Sequence, residues 1–479
     1  MLTLNHIITA LTLNAHADVT HPGCASKQNI SAVVIDSREV KPGAFFVALP
    51  GRYADGHQYV GDAFARGAVA ALVERAPALN IPTIDLSTPL TADDLQALQT
   101  LPICLRVPDA VKALGQMGAY WRSRFNPRVI AITGSVGKTS TKELIASLLA
   151  RRFCTLKSRG SYNNEQGQPL TLLRLRPEHE RLVLEMGMYD VGEIAALCKV
   201  ARPSVGVVTM IGPVHLERAG SMARIIAAKT ELVEALPPDG VAILNADDPN
   251  VLGMRAHTAA RVFTYGLSQD ADLRASQVEG RGLKGISFRM HYRGETFSVK
   301  VPLLGRHSAH TALRAAAVGL VEGMSWYDIL TGLQFSVTQL RLVAVDGPGG
   351  SILLDDTYNA SPDSAIAALN LLADLDGRRV AVLGDMLELG SYEVKGHHMV
   401  GARAAEVADV LVTVGPRGAI IAAAAHDAGM DTSHIHAFET HKEALDFLLA
   451  HVGAGDVILV KGSRDVEMEN IVAAMSRGD

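Results

Sequence analysis

The chain has 479 residues, of which 48% are hydrophobic and 20% charged, with a formal net charge of −5. At roughly 100 to 200 residues per domain this length predicts about three domains, each able to bury its own core. The mildly acidic balance gives no electrostatic reason to expect nucleic acid or an anionic membrane as a partner. Cys24, Cys104, Cys154 and Cys198 lie far apart without a Cys-x-x-Cys pair, which argues against a zinc site or disulfide framework and predicts reduced core thiols.

At the start of the chain, Met1 to Ala17 is fairly apolar and ends in Ala15-His-Ala17, which resembles a signal-peptidase site. No Lys or Arg precedes the apolar part, and Asn5 and His6 interrupt it, so a secretory leader is not expected. No segment reaches the roughly 20 apolar residues needed to span a bilayer. A cytoplasmic protein with access to ATP is the expectation. Short apolar runs at Ala32 to Ile35, Ala44 to Leu49 and Ala68 to Val73, divided by Gly, Pro and Asp, predict a small α/β unit over residues 1–115. A helical pattern from Val111 to Arg124 then leads through Asn126-Pro127, a dipeptide that suits a domain boundary.

The next feature is the stretch Ala131-Ile-Thr-Gly-Ser-Val-Gly-Lys-Thr-Ser140, which follows apolar Val129 and Ile130 and opens a helical pattern from Lys142 to Ala150. Gly134 and Gly137 let the backbone turn its N–H groups toward an anion across Ser135 and Val136, and Lys138 adds a cation that reaches terminal phosphates. Thr139 can place its hydroxyl on magnesium, and Ser140 follows on the first helical turn. A strict Walker pattern would put Gly at 132, where this chain has Ile. In open parallel sheets ligands collect where strands end. Leu182 to Leu184 ends in Glu185, and Val205 to Met210 leads to His215. Glu185 suits magnesium, and His215 can bind a metal or position an oxygen. On the helix Ser221 to Leu236, Lys229 falls inside the apolar stripe of Met222, Ile225, Leu232, Val233 and Leu236. The side chain either snorkels outward or is a buried lysine with a lowered pKa, in which case its neutral amine can take up carbon dioxide as a carbamate.

From about Leu340 strand signals recur at Ser351 to Leu354, Arg379 to Leu383, Val410 to Val414 and Val457 to Val460, with helical patterns between. That alternation predicts a second parallel sheet of the doubly wound type. The expected fold class is α/β in three domains. Residues 1–115 form a small α/β domain, 116–338 a P-loop domain on a central parallel sheet, and 339–479 a Rossmann-like domain.

Six separated strings resemble the ATP-dependent Mur ligases, a three-domain cytoplasmic family of peptidoglycan synthesis, over nearly the whole chain. They are Asp36-Ser-Arg38 with Pro42-Gly43 and Asp55-Gly-His57, the loop at 134–140, Asn163-Asn-Glu165 with Gly167, His215-Leu-Glu217 with Lys229, Asn245-Ala-Asp-Asp248, and Gly305-Arg-His307. Leu354-Asp-Asp-Thr-Tyr-Asn-Ala-Ser-Pro362, Gly384-Asp-Met-Leu-Glu-Leu-Gly390 and Lys461-Gly-Ser-Arg464 look like the branch that adds D-alanyl-D-alanine to UDP-N-acetylmuramoyl-tripeptide. The Asp-Asn-Pro-Arg string of the diaminopimelate-adding branch is missing from the sequence.

Carried over by position, the resemblance implies that Ser37 and Arg38 hold the uridine nucleotide and Asn163 helps orient the substrate. Lys138 and Thr139 would hold ATP and magnesium, with Glu185 and His215 as further metal ligands and Lys229 carbamylated. His307, Thr311, Arg341 and Asp356 would approach ATP, and Tyr358 and Asn359 the dipeptide. Where the family usually reads Gly-x-His-Asn-x-x-Asn, this chain has Ser308 and Thr311, and Thr cannot offer both an amide donor and a carbonyl acceptor. The implied cofactors are ATP and Mg2+, the partners are the two small-molecule substrates, and a monomer is expected. The rival readings are another acid-amino ligase of the folylpolyglutamate type, a P-loop regulatory ATPase, and a kinase.

Overall fold

The computed structural model describes residues 1–12, 27–51, 54–335 and 342–476. Ala15, His16, Ala17, Cys24 and Arg341 lie outside them. The chain falls into two compact units. One comprises Met1–Val129, Cys154–Met186 and Ala195–Pro203, and the other Ile130–Phe153, Gly187–Ile194 and Ser204–Asp479.

In the first unit a five-stranded parallel sheet runs in the order Val33–Val34, Phe45–Val47, Ala70–Val73, Ile103–Arg106, Thr83–Asp85. The three predicted apolar runs supply its first three strands. The helix Ala110–Ser123 starts at Asp109, whose carboxylate accepts from the Lys112 N–H at 2.9 Å and so satisfies one of the free donors of the first turn. Its buried residues Ala110, Ala113, Leu114, Met117 and Trp121 recur at helical spacing. Gly118 lets the helix Gly167–Leu172 approach, since an added Cβ would stand 2.8 Å from Pro169. On the other side, the helix Leu4–Thr12 sets His6 edge-on to Trp121, with ring centroids 5.0 Å apart. The strands Thr155–Lys157 and Arg181–Glu185 also pair in parallel here. Cys104 and Cys198 are buried as predicted, whereas Cys154 is exposed. It follows the helix that ends at Leu149.

In the second unit the strand Arg128–Thr133 pairs through Ile130 to Thr133 with Val205–Val208, which is followed by Val241–Asn245, Arg261–Gly266 and Leu273–Gly280, all parallel. Beyond these the chain departs from the expected all-parallel central sheet. Leu273–Gly280, Ile286–Tyr292 and Glu295–Val301 follow one another as an antiparallel ribbon. Its strands alternate buried and solvent-facing residues, the pattern of an antiparallel sheet with one wet face.

The last sheet has six strands in the order Val343–Asp346, Ile352–Asp356, Asp456–Lys461, Arg378–Gly384, Val410–Val414, Ile435–Phe438, and only the first is antiparallel. Neighbouring residues of a strand point to opposite faces, and both faces are covered. Leu354, Ala381, Leu383 and Leu459 pack with Leu369, Leu372, Val400 and Ile421, while Leu353, Val380, Val382 and Ile458 pack with Ala444, Leu448 and Ile471. This is the predicted doubly wound arrangement.

Candidate active site

The loop after the strand Arg128–Thr133 is held by its own backbone. Gly134 has φ 142° and Gly137 φ 83°, conformations that cost glycine little and other residues much. A Cβ on Gly134 would collide with Thr209 Oγ1. The Ser135 N–H donates to Met210 O at 2.8 Å, and its hydroxyl bonds Gly212 in both directions, donating to O at 3.0 Å and accepting from N–H at 2.8 Å. Thr209 Oγ1 donates to Val136 O at 2.7 Å. Gly137 is the N-cap of the helix Lys138–Leu149, so the loop delivers a helix N-terminus and its positive dipole end. Thr139 and Ser140 lie in its first turn.

Two lysines meet on one carbonyl of this loop. Lys138 Nζ donates to Gly134 O at 2.8 Å and to Ser135 O at 3.3 Å, and Lys229 Nζ donates to the same Gly134 O at 3.1 Å. Lys229 sits on the helix Met222–Glu234 and is 1% exposed, so its stem does not snorkel to solvent. Burial, seconded by the charge of Lys138, holds its pKa well below the usual lysine value. His215, in the left-handed region at φ 54°, caps the short helix Leu216–Ala219. Burial lowers its pKa, the Glu388 carboxylate opposes that shift, and Lys138 and Lys229 add to it. The sequence-predicted catalytic residues Lys138, Lys229 and His215 therefore lie within one electrostatic neighbourhood.

Glu388 has a role that sequence reasoning missed, although its string was quoted. It stands in the left-handed region at φ 63°, and its carboxylate takes His215 Nδ1. Its carbonyl accepts the Glu217 N–H at 3.2 Å, and an added Cβ on Gly390 would stand 3.0 Å from Glu217. The loop after Arg378–Gly384 is thus seated on the His215 helix. Asp356 is paired with buried Lys461, whose Nζ lies 2.6 Å from Oδ2 and also donates to Asn359 O at 2.8 Å. Tyr358 and Asn359 are exposed beside it, with the Arg464 guanidinium over the Tyr358 ring at 6.0 Å. His307 is the N-cap of the helix Ser308–Val321, and Thr311 is buried with its hydroxyl accepting from Arg314 at 2.8 Å.

The remaining candidates belong to the first unit. Glu185 is 1% exposed at the end of its strand, accepts from Asn163 Nδ2 at 2.9 Å, and donates its N–H to Ser158 Oγ at 3.2 Å. Ser37 is buried in the turn Ser37–Glu39, and exposed Arg38 folds back on Asp36 at 2.7 Å. That hydrogen-bonded guanidinium keeps the Asp36 carboxyl below its ordinary pKa. Among the described residues no group of three or more His, Cys, Asp or Glu forms a ready-made metal cage. The Glu185 carboxylate and the Thr139 hydroxyl are each oxygen donors of the kind magnesium takes, one or two per ion, with phosphate oxygens and water completing its shell.

A phosphate loop on a parallel sheet, a buried lysine tied to that loop and a second doubly wound sheet in the same unit define a P-loop nucleotide-binding protein. The sequence matches the Mur ligase family catalytic domain over residues 29–122, the Mur ligase middle domain over 132–319 and the Mur ligase glutamate ligase domain over 340–464, and the chain belongs to the Mur ligase family. The UDP-N-acetylmuramoyl-tripeptide–D-alanyl-D-alanine ligase of Escherichia coli is 35% identical over 454 residues, spanning 93% of this chain and 94% of its own. A crystal structure of MurF from Acinetobacter baumannii superposes with TM-score 0.80 at 32% identity, covering 99% of this chain and 98% of its own. MurF of Thermotoga maritima in complex with ADP superposes with TM-score 0.76 at 26% identity, covering 93% of this chain and 97% of its own.

Proposed function

We propose that this chain uses ATP to join D-alanyl-D-alanine to UDP-N-acetylmuramoyl-tripeptide in the synthesis of the peptidoglycan precursor. The observation that carries the reading is near end-to-end likeness to ligases of that name, together with two lysines converging on the phosphate loop. A carboxylate is a poor electrophile. Its oxygen attacks the γ-phosphorus of ATP, the bond to the β-phosphate oxygen breaks, and ADP leaves. The dipeptide amine then attacks the acyl phosphate, a proton is lost from nitrogen, inorganic phosphate departs and a peptide bond remains.

The loop N–H groups and Lys138 hold the polyphosphate and offset the charge that develops during transfer. Mg2+ would be held by Thr139, Glu185 and His215, and supplies charge neutralisation on the phosphate oxygens. In its neutral form, which its lowered pKa favours, Lys229 has the chemistry to add carbon dioxide, forming an N–C bond and releasing a proton, and the carbamate supplies a carboxylate in place of a cation. Ser37 and Arg38 hold the uridine nucleotide, Asn163 orients the substrate, His307, Thr311, Arg341 and Asp356 contact ATP, and Tyr358 and Asn359 face the dipeptide. In this reading residues 1–115, 116–338 and 339–479 are the sugar-nucleotide, ATP and dipeptide domains of a cytoplasmic monomer. No described helix is long and apolar enough to cross a membrane.

Phosphate release from ATP and Mg2+ with UDP-N-acetylmuramoyl-tripeptide, with and without D-alanyl-D-alanine, tests this. Release that depends on the dipeptide and yields a product heavier by the dipeptide residue mass is expected. Release indifferent to the dipeptide would overturn the assignment.

A further inference from the structure

The helix Ser308–Val321 is rich in alanine and almost wholly buried, yet it carries Arg314 in its middle. This guanidinium is 5% exposed, and its Nε finds no hydrogen-bond acceptor. Its other contacts are neutral. Nη2 donates to Thr311 Oγ1 at 2.8 Å, Nη1 reaches Tyr265 Oη at 3.4 Å, and Cζ lies 5.8 Å from the Tyr265 ring centroid. Among the described residues no carboxylate pairs with it. A buried cation without a counter-charge, and with one N–H unpaired, is a costly arrangement that a stable fold does not favour by itself.

The position of Arg314 indicates what the missing partner is. A Cβ built on Gly137 would stand 3.2 Å from Arg314 Nη2, so the guanidinium abuts the phosphate loop at the residue before Lys138. A second connection runs through the core. Tyr265 Oη donates to the carbonyls of Val208 and Thr209 at 3.1 and 3.0 Å, and Thr209 Oγ1 in turn holds Val136 O. The cation thus abuts the loop at Gly137 and is linked to the adjacent Val136 through Tyr265 and Thr209.

We infer that Arg314 is a further nucleotide-binding residue, a buried positive charge that stays uncompensated until the polyphosphate of the nucleotide occupies the loop. The inference rests on the reading of residues 134–140 as an ATP site. Thr311 and Tyr265 hold the Arg314 guanidinium in place beside the loop. Exchange for an apolar side chain removes a liability of the unliganded fold and an asset of the liganded one, so stability and affinity move in opposite directions. A merely structural arginine would lower both together.

The test measures thermal unfolding of the full-length protein without nucleotide, and ADP binding by calorimetry, for wild type, Lys138→Ala, Arg314→Met, Arg314→Lys and Arg314→Gln. The expected result is that R314M melts at or above the wild-type temperature yet binds ADP about tenfold more weakly, while R314K stays within about threefold. ADP affinity unchanged in R314M, or melting temperature and affinity falling together, would overturn the role of Arg314. If R314M does not fold, R314Q should lose about tenfold where R314K does not, and equal ADP affinity of the two would overturn it. The K138A arm keeps the two readings apart. If K138A binds ADP as wild type does, the loop assignment itself is wrong. If K138A loses binding and R314M keeps it, only the role of Arg314 is wrong.

Discussion

Lys229 is buried, cationic in its ordinary state and placed on a helix face otherwise made of apolar side chains. Its pKa is held below the ordinary 10.5 mainly by burial. The unfolded chain therefore binds that proton more readily than the folded one, and folding stability rises with pH up to about the unfolded value. In urea unfolding under carbon-dioxide-free buffer, the wild type should gain stability from pH 7 toward pH 9.5 through this group. Lys229→Met should remove that part of the slope and be more stable at neutral pH by about 1 to 4 kcal/mol, the range found when buried ionic groups give way to apolar ones. The same variant should have no measurable ligase turnover. Lys138→Ala should lose at least about 2 kcal/mol of transition-state stabilisation, roughly thirtyfold in kcat. Wild-type turnover in that variant would refute its place on the phosphates. At this scale the sequence was legible wherever a residue type clashed with its surroundings. A lysine in an apolar stripe announced Lys229, and the same signal was present for Arg314, unread because a run of alanines is less conspicuous than one of leucines and valines.

Elements were legible where the periodicity was strong. Val410–Val414 runs over the predicted residues, and the helix Met222–Glu234 lies inside its predicted span. Half-buried strands were not. Val343–Asp346 and Ile435–Phe438 lie at the two edges of the last sheet, where one side lacks a neighbour and polar residues are tolerated. The ribbon from Leu273 to Val301 carries Arg274, Glu279, Arg289 and Lys300 on its wetter face, and its alternation is too irregular to stand out beside a bulge at Ser276/Glu279. Within the last sheet, the helix Glu393–Val407 is tied to the neighbouring loop by His397, whose Nε2 accepts from the Met386 N–H at 3.1 Å while Nδ1 lies 2.7 Å from Glu393 O. The neutral ring does both. Burial lowers its pKa from the ordinary 6.5, so as pH falls through about 6.5 the unfolded state takes up the proton first and stability is lost. His397→Gln, which keeps an acceptor but cannot titrate, should show a shallower loss between pH 7 and pH 5 by chemical denaturation.

Across the second unit, the last sheet is joined to the loop region by contacts between residues 173 positions apart, as in the pairing of His215 with Glu388. Such a contact leaves no periodic trace in a sequence, so the strings around each residue were legible while their meeting was not. Glu388→Ala should remove a charge-assisted bond worth about 1.5 to 3 kcal/mol at most. Hydrogen exchange should then quicken at the Glu217 amide, which donates to Glu388 O, while the strand Val410–Val414 keeps its protection. Unchanged exchange at Glu217 would show that the Glu388 side chain does not hold the two together.

Gly134 joins several of these requirements in one residue. Its backbone angle excludes ordinary side chains, its α-carbon faces Thr209, and its carbonyl oxygen serves both lysines. A main-chain oxygen is the same whatever codon encodes the residue, and here no alternative side chain fits. An inhibitor that donates its principal hydrogen bond to this carbonyl would therefore leave few point mutations by which resistance could arise without also losing the loop.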